Sequence, residues 1–353
     1  MKVLFALNEM GTLDHAISLK RQIEAAGADV RYVLADDRLQ VPNWATSDFP
    51  VEDKVALDEA LNTSASYVAF WFQEPYQEKW PDEFLSLSGL GRSLYSGYGV
   101  PLTNWVKGNF GLPFFAECMF ILAPSTFAKE MYETQGFRPT TVEFTGDPLL
   151  FSVHENLPTP ITARGSTFLW ASHWSDNWVD GSRGFSRWRE AVHALHVFFE
   201  ANPEQKLVIR GHPHLEQDTA TDAHHYQKLV ALQKLDNVSL SSNSMMDDIY
   251  SADALISDGV SILAYFGLTA KPIGFVSTDG EPPPFNAAGK EIASSLSQLG
   301  DERAINKWLE ENSREPSTHH HQAEKTSKLV TQHFPLKTVS PGAQLVRFLL
   351  DNR

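Results

Sequence analysis

Short, wholly apolar runs recur along this chain, each followed by a polar or glycine-bearing turn and then by residues spaced three and four apart. Val3 to Leu7 is the first such run. Asn8 to Asp14 makes the turn, and a helix is predicted from about His15, with Ala16, Leu19, Ile23 and Ala26 on one face and Gly27 placed to end it. Val30 to Leu34 is the next strand. A continuous apolar run of this length suits a strand buried on both faces, and strand–helix–strand units build parallel sheets covered by helices. The pattern continues with strands at Tyr67 to Phe72, Cys118 to Leu122 and Thr141 to Thr145, and with a helix through Lys129 and Tyr132 capped by Ser125.

A break follows. Asn156-Leu157-Pro158-Thr159-Pro160 has two prolines and no period, and reads as a linker. A second series then begins: strands at Phe168 to Ala171, Leu207 to Ile209, Ala254 to Ile256 and Lys271 to Val276. Helices are predicted over Phe185 to Glu200, Tyr226 to Lys234, Met245 to Tyr250 and Ser261 to Phe266. The expected architecture is α/β, with two Rossmann-like doubly wound domains, 1–155 and 165–335, facing a cleft. The last apolar helix, within 340–353, is expected to pack back on the first domain. In open sheets of this kind ligands bind outside the carboxyl ends of the strands.

The length of 353 residues agrees with two cores rather than one. A net charge of −15 argues against a general nucleic-acid binder and against broad electrostatic docking on anionic lipid. The lone Cys118 forms no intrachain disulfide, and its apolar setting reads as a packed thiol. The N-terminal apolar run is too short for a signal peptide, and no run approaches a membrane span. A cytoplasmic protein is expected, with peripheral association at the inner face of the membrane left open.

Four loops carry candidate chemistry, each directly after a strand. Ile209-Arg210-Gly211-His212-Pro213-His214 offers a guanidinium and two imidazoles to a polyanion, held by a proline. Ser257-Asp258-Gly259-Val260-Ser261 leads into a helix, where backbone N–H groups suit a phosphate; equally, Asp258 or Ser261 caps the helix. Trp170-Ala171-Ser172-His173-Trp174 offers aromatic and polar groups to a base or sugar, or else packs in the core. Gly11-Thr12-Leu13-Asp14-His15 places a histidine where a general base suits an acceptor hydroxyl, the alternative being Asp14 as a helix cap. P-loop, serine-hydrolase and zincin motifs are absent from the sequence.

Taken in order, the second half resembles the CDP-glycerol glycerophosphotransferase family of wall and capsule polymer enzymes. The family's "A-P-T-W", "R-x-H-P", "D-x-L-I-T-D-Y-S-S" and "N-K-P-I-I-F" patterns find counterparts in order. These are Ala171-Ser172-His173-Trp174, Arg210-Gly211-His212-Pro213, Asp253 through Ser261, and Ala270-Lys271-Pro272-Ile273-Gly274-Phe275. The resemblance implies the GT-B fold and a nucleotide-diphosphate donor, CDP- or UDP-linked, held by the C-terminal domain. It gives His212 the role of the family's functional histidine, and Ser257, Asp258 and Ser261 the phosphate-contacting turn. The family's first-domain "H-G-T/I-x-x-K" loop is matched locally by Ser88-Gly89-Leu90-Gly91-Arg92, with serine for histidine, and the "Y-S" of "D-Y-S-S" is replaced by Gly259-Val260.

The expected activity is therefore transfer of a sugar or polyol-phosphate group from a nucleotide donor to a saccharide or polyol-phosphate acceptor, in cell-surface polysaccharide synthesis. His15 and Asp14 are the base candidates, and His212 the stabiliser of the leaving group. His173, Arg210, His214, Ser257, Asp258, Gly259 and Ser261 are expected at the donor, and Ser88, Gly89, Gly91 and Arg92 at the acceptor. No metal or other cofactor is required. The alternatives are an enzyme resembling UDP-sugar 2-epimerases, whose paired glutamates after the Ser-Asp-Gly turn are missing from Ser261-Ile262-Leu263-Ala264, and a non-catalytic binding subunit.

Overall fold

The computed structural model describes residues 1–352 apart from 11–12, 37, 89–90, 98, 105–109, 137–139, 158–165, 174–185, 212–222 and 278–283. In chain order the first half carries β1 (Lys2–Leu7), α1 (Leu13–Ala25), β2 (Asp29–Leu34), α2 (Leu57–Asn62), β3 (Ala69–Phe72), α3 (Asp82–Ser88), β4 (Ser93–Tyr95), β5 (Cys118–Ala123), α4 (Thr126–Thr134), β6 (Thr141–Phe144) and α5 (Pro148–Glu155). The second half carries β7 (Thr167–Ala171), α6 (Trp188–Ala201), β8 (Lys206–Ile209), α7 (Ala223–Gln233), β9 (Val238–Leu240), α8 (Met245–Ser251), β10 (Ala254–Ser257), α9 (Ser261–Gly267) and β11 (Ile273–Val276). It ends with α10 (Ala287–Ser294), β12 (Ser297–Leu299), α11 (Glu302–Arg314), α12 (His320–His333) and α13 (Pro341–Asp351).

These elements form two units. The first comprises Met1–Pro101, Trp105–Glu155 and Phe334–Arg353. Its six strands run in the order β2-β1-β3-β4-β5-β6, every neighbouring pair parallel. The reason for the unbroken apolar run of β1 is now visible. Val3, Phe5 and Leu7 pack on one side with Leu19 and Ile23 of α1, while Leu4 and Ala6 pack on the other with Phe70, Phe72 and Phe114. Both faces are dry, so alternation has nothing to report. The closing helix α13 lies on α1: the Gly342 N–H donates to Gln22 Oε1 at 3.1 Å, and Phe348 stacks on Phe120 with centroids 4.1 Å apart.

The second unit comprises Leu102–Asn104 and Asn156–His333. Its sheet runs β12-β11-β10-β7-β8-β9, again all parallel. Phe168 and Trp170 anchor a core with Trp188, Leu195, Phe199 and Trp308. Residues 102–104 belong here through Asn286 N–H to Leu102 O (2.9 Å) and Asn104 N–H to Pro284 O (2.7 Å). The α/β, doubly wound fold class is as expected. The helix expected from Phe185 begins at Trp188, and β4, β9, β12, α2, α3, α5, α10, α11 and α12 add to the expected elements. The prolines of the expected linker lie outside the described residues. Among the described residues no helix is long and apolar enough to cross a membrane.

Candidate functional site

In the second sheet the chain starts at β7, steps outward through β8 and β9, then returns to β10 on the other side. The order reverses between β7 and β10, and a crevice opens at such a point, outside the carboxyl ends. Two of the sequence-predicted loops meet there. Ser257 is fully buried: its hydroxyl donates to Ala171 O (2.6 Å) and accepts from Gly259 N–H (2.9 Å). Asp258, 2% exposed, accepts from the His173 N–H at 2.5 Å, from the Ser172 hydroxyl at 2.9 Å and from the Arg187 N–H. One carboxylate thus fastens the segments at 172–173 and 186–187 to the turn after β10. Burial pushes Asp258 up to about 6 against the pull of those three donors. Burial also lowers His173 to about 4, so its imidazole is neutral at pH 7. A Cβ on Gly259 would come within 3.1 Å of Ser257 Oγ, so the tight turn favours the smallest residue.

The functional groups of Ser257 and Asp258 are therefore spent on holding the loops, where a direct contact with phosphate was expected. Arg210 differs from expectation in the same way. Its Nη1 donates to Asp248 Oδ2 (2.9 Å) and to Asn243 O (3.0 Å), bracing the loop after β9 against α8. Ser261 opens the first turn of the seven-residue α9, whose N-cap position is Val260, and the Asp258 carboxylate faces the other loops instead of capping the helix. His212 and His214 lie outside the described residues. Two further residues of the family-like motifs are structural. Asp253 accepts from Ser166 and Thr167 N–H groups at 3.1 Å each, joining the starts of β7 and β10. Lys271 closes the end of α8 by donating to the carbonyls of Tyr250 (2.9 Å) and Ala252 (2.6 Å).

In the first sheet the order reverses between β1 and β3. His15 stands on this carboxyl edge, in the first turn of α1 and 5% exposed, with Nε2 3.8 Å from Asp147 Oδ2. Burial lowers its pKa to about 3, so it is a neutral, enclosed imidazole. Asp14 is 2% exposed beside it. Gly11 and Thr12 lie outside the described residues.

The Ser88–Arg92 stretch is a correction. It leads into β4, so Gly91 and Arg92 occupy the amino edge of the sheet, opposite the edge that carries His15. Arg92 Nη1 donates to Tyr67 O at 2.5 Å, and its guanidinium lies over Phe70 at 5.0 Å, fixing the start of β3. Gly91 needs its left-handed backbone, φ +69°. Gly89 and the side chain of Ser88 lie outside the described residues.

A cluster that the sequence reading missed lies at the β1/β3 reversal. Gln73 is 1% exposed; its Oε1 accepts from the N–H groups of Asn8 and Glu9, each at 2.9 Å, and its amide donates to Glu9 O at 2.6 Å. Glu74, 3% exposed, pairs with Lys79 at 2.6 Å. Burial, then the carboxyl of Glu9, pushes Glu74 up to about 7, against the pull of Lys79. The signal was available, since Asn8-Glu9 and Gln73-Glu74 directly follow the apolar runs of β1 and β3.

No protein-family profile matches this chain, and no curated protein matches it. Solved structures do match. The UDP-GlcNAc 2-epimerase of Neisseria meningitidis, bound to UDP-GlcNAc, superposes with a TM-score of 0.61 at 10% identity over 100% of both chains. The Methanocaldococcus jannaschii UDP-GlcNAc 2-epimerase, in complex with UDP-GlcNAc and UDP, gives 0.61 at 12% identity over 99% of this chain and 100% of that one. The wall teichoic acid polymerase TagF, soaked with CDPG, gives 0.62 at 13% identity over 99% of this chain and 88% of that one. At these identities the likeness is one of fold: the chain has a GT-B-like α/β architecture.

Proposed function

We propose that this chain is a transferase that moves a sugar or polyol-phosphate group from a nucleoside-diphosphate donor to an acceptor hydroxyl, in the building of a cell-surface polymer. The observation that carries this reading is the convergence of two motif loops at the β7/β10 reversal. Ser172, His173, Ser257, Asp258 and Gly259 form one hydrogen-bonded frame there. Such a frame, built before any ligand arrives, suits a site that must hold a charged leaving group in fixed geometry. Fold neighbours bound to UDP-GlcNAc or soaked with CDPG support a nucleotide-linked donor as the ligand class. Ser261 belongs to the second of these loops and His212 follows β8 in the sequence; both are assigned to the departing diphosphate. In the transfer, the acceptor oxygen forms the new bond, the bond to the diphosphate oxygen breaks, and the electron pair leaves with the nucleotide. No metal or other cofactor is assigned to this step.

An epimerase reading draws on the same fold neighbours, but epimerase-type enzymes follow this turn with paired glutamates, and Ser261 to Ala264 carries none. The test is a thermal-shift screen against CDP, UDP, GDP and ADP, followed by product analysis. A nucleotide present at ~100 times its dissociation constant adds about 2.7 kcal/mol of stability. The expected result is a shift with one nucleotide, diminished in His212→Ala, and nucleotide release from the matching donor that depends on added acceptor. Isomerisation of the donor without acceptor would establish the epimerase reading instead.

A further inference from the structure

The β1/β3 reversal of the first sheet holds a second built arrangement, independent of the donor frame. Its carboxylates come from two different loops: Glu9 from the turn after β1 and Glu74 from the turn after β3. Gln73 brings the two turns together by accepting both N–H groups of Asn8 and Glu9. Lys79 fixes Glu74 from one side at 2.6 Å, and is itself steadied over the Tyr76 ring at 5.2 Å. The Trp80 indole N–H holds the Glu74 carbonyl at 3.0 Å. In the same turn as Glu9, the side-chain carbonyl oxygen of Asn8 is buried, and among the described residues no donor reaches it. A buried acceptor of this kind leaves a hydrogen bond unmade, which costs stability unless a ligand supplies a donor.

We propose that Glu9, Glu74, Lys79 and Asn8 form the acceptor end of the reaction, binding a neutral polyol or sugar through its hydroxyl groups, with the Glu9 carboxylate receiving the proton of the attacking one. The proposal rests on the transferase reading above and names its acceptor class. The chemistry of the group decides the class. The Asn8 oxygen and the carboxylates accept hydrogen bonds, and the one ammonium is committed to Glu74. Hydroxyl groups satisfy such a surface, whereas a phosphate-terminated acceptor would bring more acceptors and like charge. Of the two residues, Glu9 is the less buried, though its Oε1 is enclosed, and Glu74 is buried. Glu74 thus sits behind Glu9, where a proton on either carboxyl relieves the repulsion between them. The proton passes from the acceptor hydroxyl to Glu9, the oxygen attacks the donor, and the proton leaves to water after the product departs. The charged and titratable groups facing Glu74 are Glu9 and Lys79, with Tyr76 acting on Lys79.

The experiment uses the full chain and two probes, glycerol and glycerol 3-phosphate, read by saturation-transfer NMR near neutral pH. Glycerol is expected to give a signal in the wild type that falls at least threefold in Glu9→Gln and returns in part in Glu9→Asp, with the glycerol 3-phosphate signal weaker throughout. Equal glycerol signals in wild type and Glu9→Gln, or a stronger response to glycerol 3-phosphate, would overturn the proposal. The nucleotide-induced thermal shift, expected to be unchanged in both variants, confirms that they fold and reports the donor site separately. Its absence in the wild type sinks the transferase reading, while the glycerol comparison still decides the binding site. Where the wild type turns over, Glu9→Gln is expected to lower kcat by about 10²–10⁴-fold. A loss under threefold with nucleotide binding intact would end the proton-acceptor role. Glu74→Gln is expected to move the acidic limb of the pH profile downward, a change that a purely structural role would not produce.

Discussion

A single carboxylate, that of Asp258, takes three donors from two separate stretches of chain. Asp258→Asn turns one acceptor oxygen into a donor facing donors, and is expected to cost about 2–4 kcal/mol in a denaturant titration, because hydrogen bonds to charged groups and stranded buried donors both count. It is also expected to weaken nucleotide binding through the misplaced loops. His15 makes a prediction of opposite character. Its folded pKa, about 3, lies below the ordinary value of 6.5, so the unfolded chain binds more protons between those values. Stability is then expected to fall as the pH drops through that window, by roughly 1.4 kcal/mol per pH unit, and His15→Gln is expected to flatten the slope. Glu74 acts with the other sign. Its pKa is raised from 4.5 to about 7, so its contribution is present below the first value and lost as the pH rises through the second. The sequence showed where polar residues follow strands, and so pointed to Ser257, Asp258 and His173. It did not show which way they face. Arg210 looks free to reach a polyanion until Asp248 is seen 2.9 Å away, brought there by a helix 38 residues on.

At the scale of elements, close approach does much of the positioning. A Cβ on Gly342 would lie 2.5 Å from the Cβ of Gln22 and 2.8 Å from its carbonyl carbon, so Gly342→Ala must lift α13 from α1. The expected cost is about 1–3 kcal/mol, read as a lowered melting temperature, with the nucleotide-dependent shift retained. Long buried strands such as β1 and β5 were legible because both faces are covered. Three short strands were not: β4, β9 and β12 have three residues each, and Ser297-Gln298-Leu299 of β12 carries one apolar side chain. Their membership is decided by neighbours already in the sheet. Missing β4 had a consequence for the site, since only that strand shows the Ser88–Arg92 stretch to lead into the sheet at its amino edge. Helix α11 was different: Ile305, Trp308 and Leu309 share a buried face after an Asp301 cap, so its signal was present in the sequence.

The molecule as a whole is threaded rather than strung. Residues 102–104 leave the first half to join the second unit, and α13 comes back after the second unit is complete. Leu345, Val346 and Leu349 of α13 lie in the core of the first unit. At ~1.5–3 kcal/mol for each buried side chain, their loss approaches the whole stability of a domain. A chain stopped after His333 is therefore expected to lose hydrogen-exchange protection in β1–β6 while β7–β12 keep theirs; equal protection in both sheets would show α13 to be dispensable. A ribosome delivers the chain from its N-terminus, and domains commonly fold in that order as they emerge. Here the order is inverted. Every strand of the first sheet is made early and waits through the synthesis of the second unit for its last packing partner, so the half that is born first is the half that matures last.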